Sequence, residues 1–427
     1  MSIVVTGANV VDRTGERRVD VRVHDGVVAE VADSLEVGDD DVHVDASGRI
    51  LCPGFVDLHT HLREPGREEA ETIETGSRAA ALGGYTAVVA MPNTDPTQDS
   101  VGVIDFVRRQ GIRAGLCDVV PSASITIGRR GEQLSPFAEL ADAGVRLFTD
   151  DGNGVQDPLL MRRAFEYAAG LGVTMAQHCE VERLTGGAVM HEGDCCSRLG
   201  LPGWPSLAEE LMVHRDIELV RLTGAPAHFL HLSTAGSVEL VRAAKADGLP
   251  VTAEATPHHI SLTDELLATY SALYKVNPPL RTMADVEAVR DGLRDGTIDA
   301  IATDHAPHVP ESKEQPLDSA PPGMLGLETA LGVALAHLDM PVADVIAALS
   351  WKPAAIAGLD GVHGCDIVPG SPANLTVIDP TVEWEVVPAR LASKSRNTPF
   401  VGVGLRGRPT HTILHGDLTV ENGTATR

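Results

Sequence analysis

Side chains of metal-binding type recur where short apolar runs of this chain end: His59 and His61, the pair Asp150-Asp151, His178, His231 and Asp304. The stretch Phe55-Val56-Asp57-Leu58-His59-Thr60-His61 reads as a short strand. Side chains alternate along a strand, which predicts His59 and His61 on one face together with Phe55 and Asp57. A lone His-x-His is weak evidence for a ligand pair, so its meaning depends on the later residues. Four neutral imidazoles and two carboxylates suit a pair of borderline-soft divalent cations such as Zn²⁺. Two such cations repel each other, so an anionic group must bridge them. Water between them loses a proton near neutral pH, while one cation polarises a carbonyl. Asp304 can accept that proton and pass it to a leaving nitrogen, as base and then as acid. The chemistry this set supports is hydrolysis of an amide-like C–N bond, or its reversal.

These residues need a scaffold that brings distant strand ends together. From Gly54 to about Leu359, strand-like and helix-like segments alternate. Phe55–His59 precedes a helical stretch over 72–82, Thr86–Ala90 precedes 100–110, and 115–121 precedes 133–143. Strand-like 145–149 precedes 158–170, 173–178 precedes 206–222, and 227–231 precedes 237–247. Val251–Ala255 leads into an irregular region, and 298–302 leads through a long loop to 327–338. Eight such steps are the rhythm of a (β/α)8 TIM-type barrel. An open doubly wound sheet would need a Gly-rich phosphate loop after an early strand, and none is present. Active sites of such barrels lie at the C-terminal ends of the strands, where all of these residues fall. Singly, a buried histidine or a capping aspartate explains each one; together they point to one metal site. Both ends of the chain alternate as short strands and are expected to pair into a small β-sandwich. The predicted division is 1–52 and 365–427 for that domain and 53–364 for the barrel.

Composition narrows the function. Sixty acidic against 34 basic residues give a formal charge of −26, which repels nucleic acid and anionic membrane surfaces. An anionic small molecule would need a local cation. No apolar run reaches the roughly 18–20 residues of a membrane span, and the N-terminus lacks the pattern of a signal peptide. A cytoplasmic location is therefore expected. The six cysteines show no C-x-x-C pairing and read as reduced thiols.

Seven motifs, in order, run through the chain: Gly54-Phe55-Val56-Asp57-Leu58-His59-Thr60-His61-Leu62-Arg63-Glu64-Pro65-Gly66, Met91-Pro92-Asn93-Thr94, Asp150-Asp151-Gly152, Gln177-His178-Cys179-Glu180, His231-Leu232-Ser233-Thr234, Asn277-Pro278-Pro279-Leu280-Arg281 and Thr303-Asp304-His305-Ala306-Pro307-His308. With them the chain resembles, end to end, the dihydroorotases of the amidohydrolase superfamily, in the bacterial group without a lysine bridge. The resemblance implies two Zn²⁺ per subunit. It makes His59, His61 and Asp304 ligands of the first, His178 and His231 ligands of the second, and Asp151 the bridge. Arg63, Asn93 and Asn277, with His61, resemble the substrate-binding set, and His308 with the backbone near Pro322 and Gly323 resembles a closing loop. The implied reaction interconverts N-carbamoyl-L-aspartate and dihydroorotate in pyrimidine synthesis. A homo-oligomer, a dimer, is implied as well, and association with aspartate transcarbamoylase is allowed. Many relatives bridge their metals with a carboxylated lysine on strand four. Here that strand is Val145-Arg146-Leu147-Phe148-Thr149-Asp150-Asp151, and the five lysines lie elsewhere. Two rival readings are a hydantoinase or allantoinase, and a metal-free relative that scaffolds a partner enzyme. The Pro-rich segment 306–326 is expected to be a functional loop with Gly323 and Gly326 as hinges, and His258-His259 to be structural.

Overall fold

The computed structural model describes residues 2–427. Eight parallel strands, one to eight, run Phe55–Thr60, Tyr85–Ala90, Asp118–Pro121, Leu147–Phe148, Thr174–Gln177, Ala227–Phe229, Val251–Ala255 and Ala300–Ile301. Strands one to three pair into one arc and strands four to eight into another. Single bridges, Ala123 to Phe148 and Thr60 to His305, close the ring. At those two junctions Thr149 donates to the Ala123 carbonyl at 2.8 Å and His61 to the His305 carbonyl at 2.9 Å. Leu58, Val89, Leu147, Ala176, Leu230 and Ala302 form one cluster drawn from both arcs, so the barrel is filled rather than hollow.

Strict alternation does not hold along strand one. Its pairing register shifts on both sides of Val56-Asp57. Phe55 therefore packs edge-on against Tyr85, at 5.7 Å between ring centroids, in the cluster that also holds Ile73 and Leu331. Asp57 is buried and accepts hydrogen bonds from the His59 and Thr303 amides. Only the two histidines turn to the mouth.

The helices start where capping chemistry allows. Asp157 accepts from the Leu159 and Leu160 amides ahead of Pro158–Leu171, and Thr72 caps Ile73–Leu82. Three segments depart from the expected rhythm. After strand three the helix is only Phe137–Asp142. Pro136 holds Ser135 out of the α region, so the helix cannot begin at Gln133. After strand seven, the region expected to be irregular carries a 13-residue helix, Met283–Asp295, with a reciprocal Thr282–Asp285 cap. The helix after strand eight, Ala330–His337, is followed by two more, Val342–Leu349 and Trp351–Ile356.

The two chain ends meet in sheets beside the barrel. Leu375–Glu385 pairs antiparallel with Ile50–Pro53 inside a seven-stranded sheet, and a four-stranded sheet includes Ile3–Thr6. Val5, Val21 and Val44 of the smaller sheet share a core with Leu51, Val377 and Ile413 of the larger one. That face-to-face arrangement is a sandwich. Ile50–Pro53 runs directly into strand one, so the sandwich is fixed to the strand that carries His59. Among the described residues no helix is long and apolar enough to cross a membrane.

Candidate metal centre

All six expected metal-type side chains converge at one mouth of the barrel. Two groups of donors form there, His59, His61 and Asp151, and Asp151, His178 and His231, with the donor atoms of each group within 4.8 Å of one another. Asp151 belongs to both. Its Oδ1 lies 3.3 Å from His59 Nε2 and 3.5 Å from both His178 Nδ1 and His231 Nε2. Its Oδ2 lies 3.5 Å from His61 Nε2. Asp304 Oδ1 is 3.0 Å from His61 Nε2 and 3.5 Å from His59 Nε2. Asp150 points elsewhere and accepts from the amide and hydroxyl of Thr126. Burial, only partly offset by those hydrogen bonds, pushes its carboxyl up to about 6.

The donor set fits divalent cations on evidence of its own. His59 is fully buried, and its Nε2 has no hydrogen-bond partner even though its other ring nitrogen is satisfied. An orphaned imidazole nitrogen aimed at carboxylates calls for a positive centre. Burial works against a charge on His59. The charges of Asp151 and Asp304, with the hydrogen bond that Glu254 accepts from the ring, overcome it and hold the imidazolium well above its ordinary range. Burial likewise opposes ionisation of Asp151, yet the surrounding histidines keep it well below the carboxylate range. The site is short of positive charge, and without cations protons must supply it.

Three acceptors set the orientation of the rings, and sequence reasoning missed two of them, Glu254 and Glu180. Glu254, fully buried on strand seven, sits 2.9 Å from His59 Nδ1 and 3.0 Å from His228 Nε2, and accepts from the His231 amide at 3.3 Å. Glu180 Oε2 is 3.0 Å from His178 Nε2. Asn93, expected to bind substrate, also places its Oδ1 2.9 Å from His61 Nδ1. Each such partner takes the proton on one ring nitrogen and leaves the other free for a metal. A carboxylate inside the apolar run Val251–Ala255 was the legible signal for Glu254. Glu254→Gln cannot accept equally from His59 and His228. It is expected to weaken metal binding about 10–100-fold while the barrel stays folded, as measured by competition with a chromophoric chelator.

Beside the donors lies a cavity of about 230 Å³ lined by His61, Arg63, Asn93, Asn277, His308, Pro322 and Gly323, the residues expected to bind substrate. Arg63 is 7% exposed, donates from Nε to the Pro307 carbonyl at 3.1 Å, and stands 3.4 Å from His308 Nε2. Burial, then the Arg63 and Lys313 charges, push His308 down to about 3, so its ring is neutral. His308 Nε2 is 2.8 Å from the Pro322 carbonyl, and the Gly323 amide donates to the Lys275 carbonyl. Lys313 further pins the loop by donating to the Pro321 and Gly323 carbonyls, each at 2.9 Å. Gly326, expected as a hinge, has a different reason to be glycine. A Cβ there would lie 2.8 Å from that of Thr303. His259 bonds Thr256 and the Pro278 carbonyl, a structural role, and His258 packs against it.

Three residues of the site, Arg63, His231 and Asp304, hold positive φ angles of 62°, 33° and 46°. Non-glycine residues there cost on the order of 1–3 kcal/mol each, and such strain concentrates where function fixes a side chain.

Comparison with known proteins agrees with this geometry. A family model described as Dihydro-orotase-like matches residues 48–237. The chain is 50% identical over 430 residues to a dihydroorotase of Mycobacterium tuberculosis, covering 99% of each. It is 49% identical to a dihydroorotase of Streptomyces coelicolor, again covering 99% of each. Among solved structures, an L-hydantoinase from Arthrobacter aurescens superposes with a TM-score of 0.88 over 100% of this chain and 97% of its own, at 24% identity, a likeness of fold. With full-length identity at this level and all six metal-type side chains gathered at one mouth, the chain belongs to the dihydroorotase family, whose members are cyclic amidohydrolases.

Proposed function

We propose that this chain is a two-zinc dihydroorotase that interconverts N-carbamoyl-L-aspartate with (S)-dihydroorotate and water. The observation that carries the reading is the pairing of two donor groups sharing Asp151 with a buried guanidinium on the same cavity wall. His59, His61 and Asp304 would hold one cation, His178 and His231 the other, and Asp151 both. When bound, the two cations acidify a water and polarise the ring carbonyl. Arg63, Asn93 and Asn277 orient the ring through its carboxylate, and His308, neutral, adds a hydrogen bond without adding charge. In hydrolysis Asp304 takes the proton of the water that adds to the carbonyl carbon. It returns that proton to the ring nitrogen as the C–N bond breaks; cyclisation reverses each transfer. The cavity, smaller than the roughly 300–1,000 Å³ of drug-sized sites, suits one small ring. We place the domain limits at 1–52, 53–364 and 365–427, supported by the sheet that joins both ends.

Turnover of dihydroorotate, hydantoin and allantoin by the zinc-loaded enzyme tests the reading. Dihydroorotate is expected to be strongly preferred, and preference for a ring without a carboxylate would sink it. Arg63→Lys keeps the charge but loses the planar fork. It is expected to raise the KM for dihydroorotate about 10–100-fold, the worth of one charge-assisted hydrogen-bond pair.

A further inference from the structure

We infer that Arg67 is a specificity-determining cation at the rim of the cavity, reading the second negative charge of the open-chain substrate. The inference rests on the reaction proposed above. Three guanidiniums gather near the mouth. Arg63 is tied to the Pro307 carbonyl, and Arg129 donates from Nη2 to the Asp151 carbonyl at 2.5 Å. Arg67 lines the cavity with Arg63, Asn93 and Asp304 and is exposed. Among the described residues its guanidinium has neither a carboxylate partner nor a hydrogen-bond acceptor.

Its backbone, by contrast, is fixed. The Arg67 amide donates to the Arg63 carbonyl at 3.0 Å, and the Arg67 carbonyl accepts from Ala70 at 3.0 Å. Gly66, with φ of 106°, packs so closely that a Cβ would lie 2.6 Å from the Asp95 carbonyl oxygen. The loop is thus docked, and Arg67 leaves it at a set place beside the mouth. Its charge reaches the pocket: burial first, and Arg67 next, pull the Arg63 guanidinium down to about 10. An unpaired guanidinium beside two others is repelled until an anion arrives. The chain carries a net charge of −26, so an anion meets an unfavourable long-range field and gains from any local unpaired cation.

The two substrates differ in the charge such a rim would read. N-carbamoyl-aspartate carries two carboxylates. Cyclisation turns one of them into the ring amide carbonyl with loss of water, so dihydroorotate keeps one. Both directions share a transition state, so any loss in kcat/KM must be equal in the two directions. Charge discrimination can appear only in the separate KM values.

Initial rates in both directions at low ionic strength therefore test the inference with Arg67→Gln. The KM for N-carbamoyl-aspartate is expected to rise about fivefold and that for dihydroorotate about twofold, as expected for one partly screened charge. The gap should close at high salt, and Arg67→Lys should restore it. Equal KM changes, or none, would overturn the role of Arg67 while leaving the proposed reaction intact. Wild-type enzyme that turns over neither compound would overturn both.

Discussion

Asp151→Ala is expected to abolish turnover, by on the order of 10³-fold or more, and to lower the metal bound per chain to half or less of the wild-type content. The carboxylate reaches all four histidines, with every contact between 3.3 and 3.5 Å. No other carboxylate in the centre belongs to both donor groups. The fold should survive the substitution, because the backbone at this position is held independently. Its amide donates to Thr149 Oγ1 and its carbonyl accepts from Arg129. Metal analysis beside kinetics decides the matter. A variant that keeps the wild-type metal content and activity would remove Asp151 from the centre, and Asp150 would then have to be reconsidered.

Asp304→Asn is expected to lower kcat by about 10²–10⁴-fold, the usual worth of a positioned proton carrier, with KM changed much less. Asparagine keeps the shape and an oxygen to face His61, and it tolerates the left-handed backbone that Asp304 adopts at φ of 46°. What it loses is the ability to take up a proton. Alanine would confuse that loss with backbone strain, so asparagine is the cleaner variant. If excess Zn²⁺ restores the rate, the defect is in metal binding; an asparagine variant within tenfold of wild type shows that another group carries the proton.

Much of the centre was legible in the sequence because each metal-type side chain ends a short apolar run, and a barrel brings the ends of its strands to one side. Strand spacing put His59 and His61 on one face, and the later strand ends gave that pair its meaning. The choice between Asp150 and Asp151 needed a motif, since neighbouring residues differ only in which way they turn. Glu254 was hidden for another reason. It meets His59 across 195 positions of sequence, and nothing local says which distant ring a buried carboxylate will orient. Strand one also shows how a register shift defeats alternation, since Phe55 and His59 share parity but not surroundings. The helix Met283–Asp295 did announce itself, through Thr282 and Asp285 at capping spacing. It was obscured by the long irregular approach from strand seven. Lys313 had no sequence signal, because its acceptors are carbonyls rather than acidic side chains.

Among the described residues the sheets of the two arcs are joined by one isolated bridge on each side, Ala123 with Phe148 and Thr60 with His305. His59 and His61 belong to the three-strand arc, and Asp151, His178, His231 and Asp304 to the other. A cation held by His59, His61 and Asp151 would therefore add a clasp between the two half-shells. Loading the centre would tie those halves together, so that mechanical integrity and chemical competence would be gained in one event. A chain that has lost its ions would part first along these stitches, while each half-shell keeps its own strands in register.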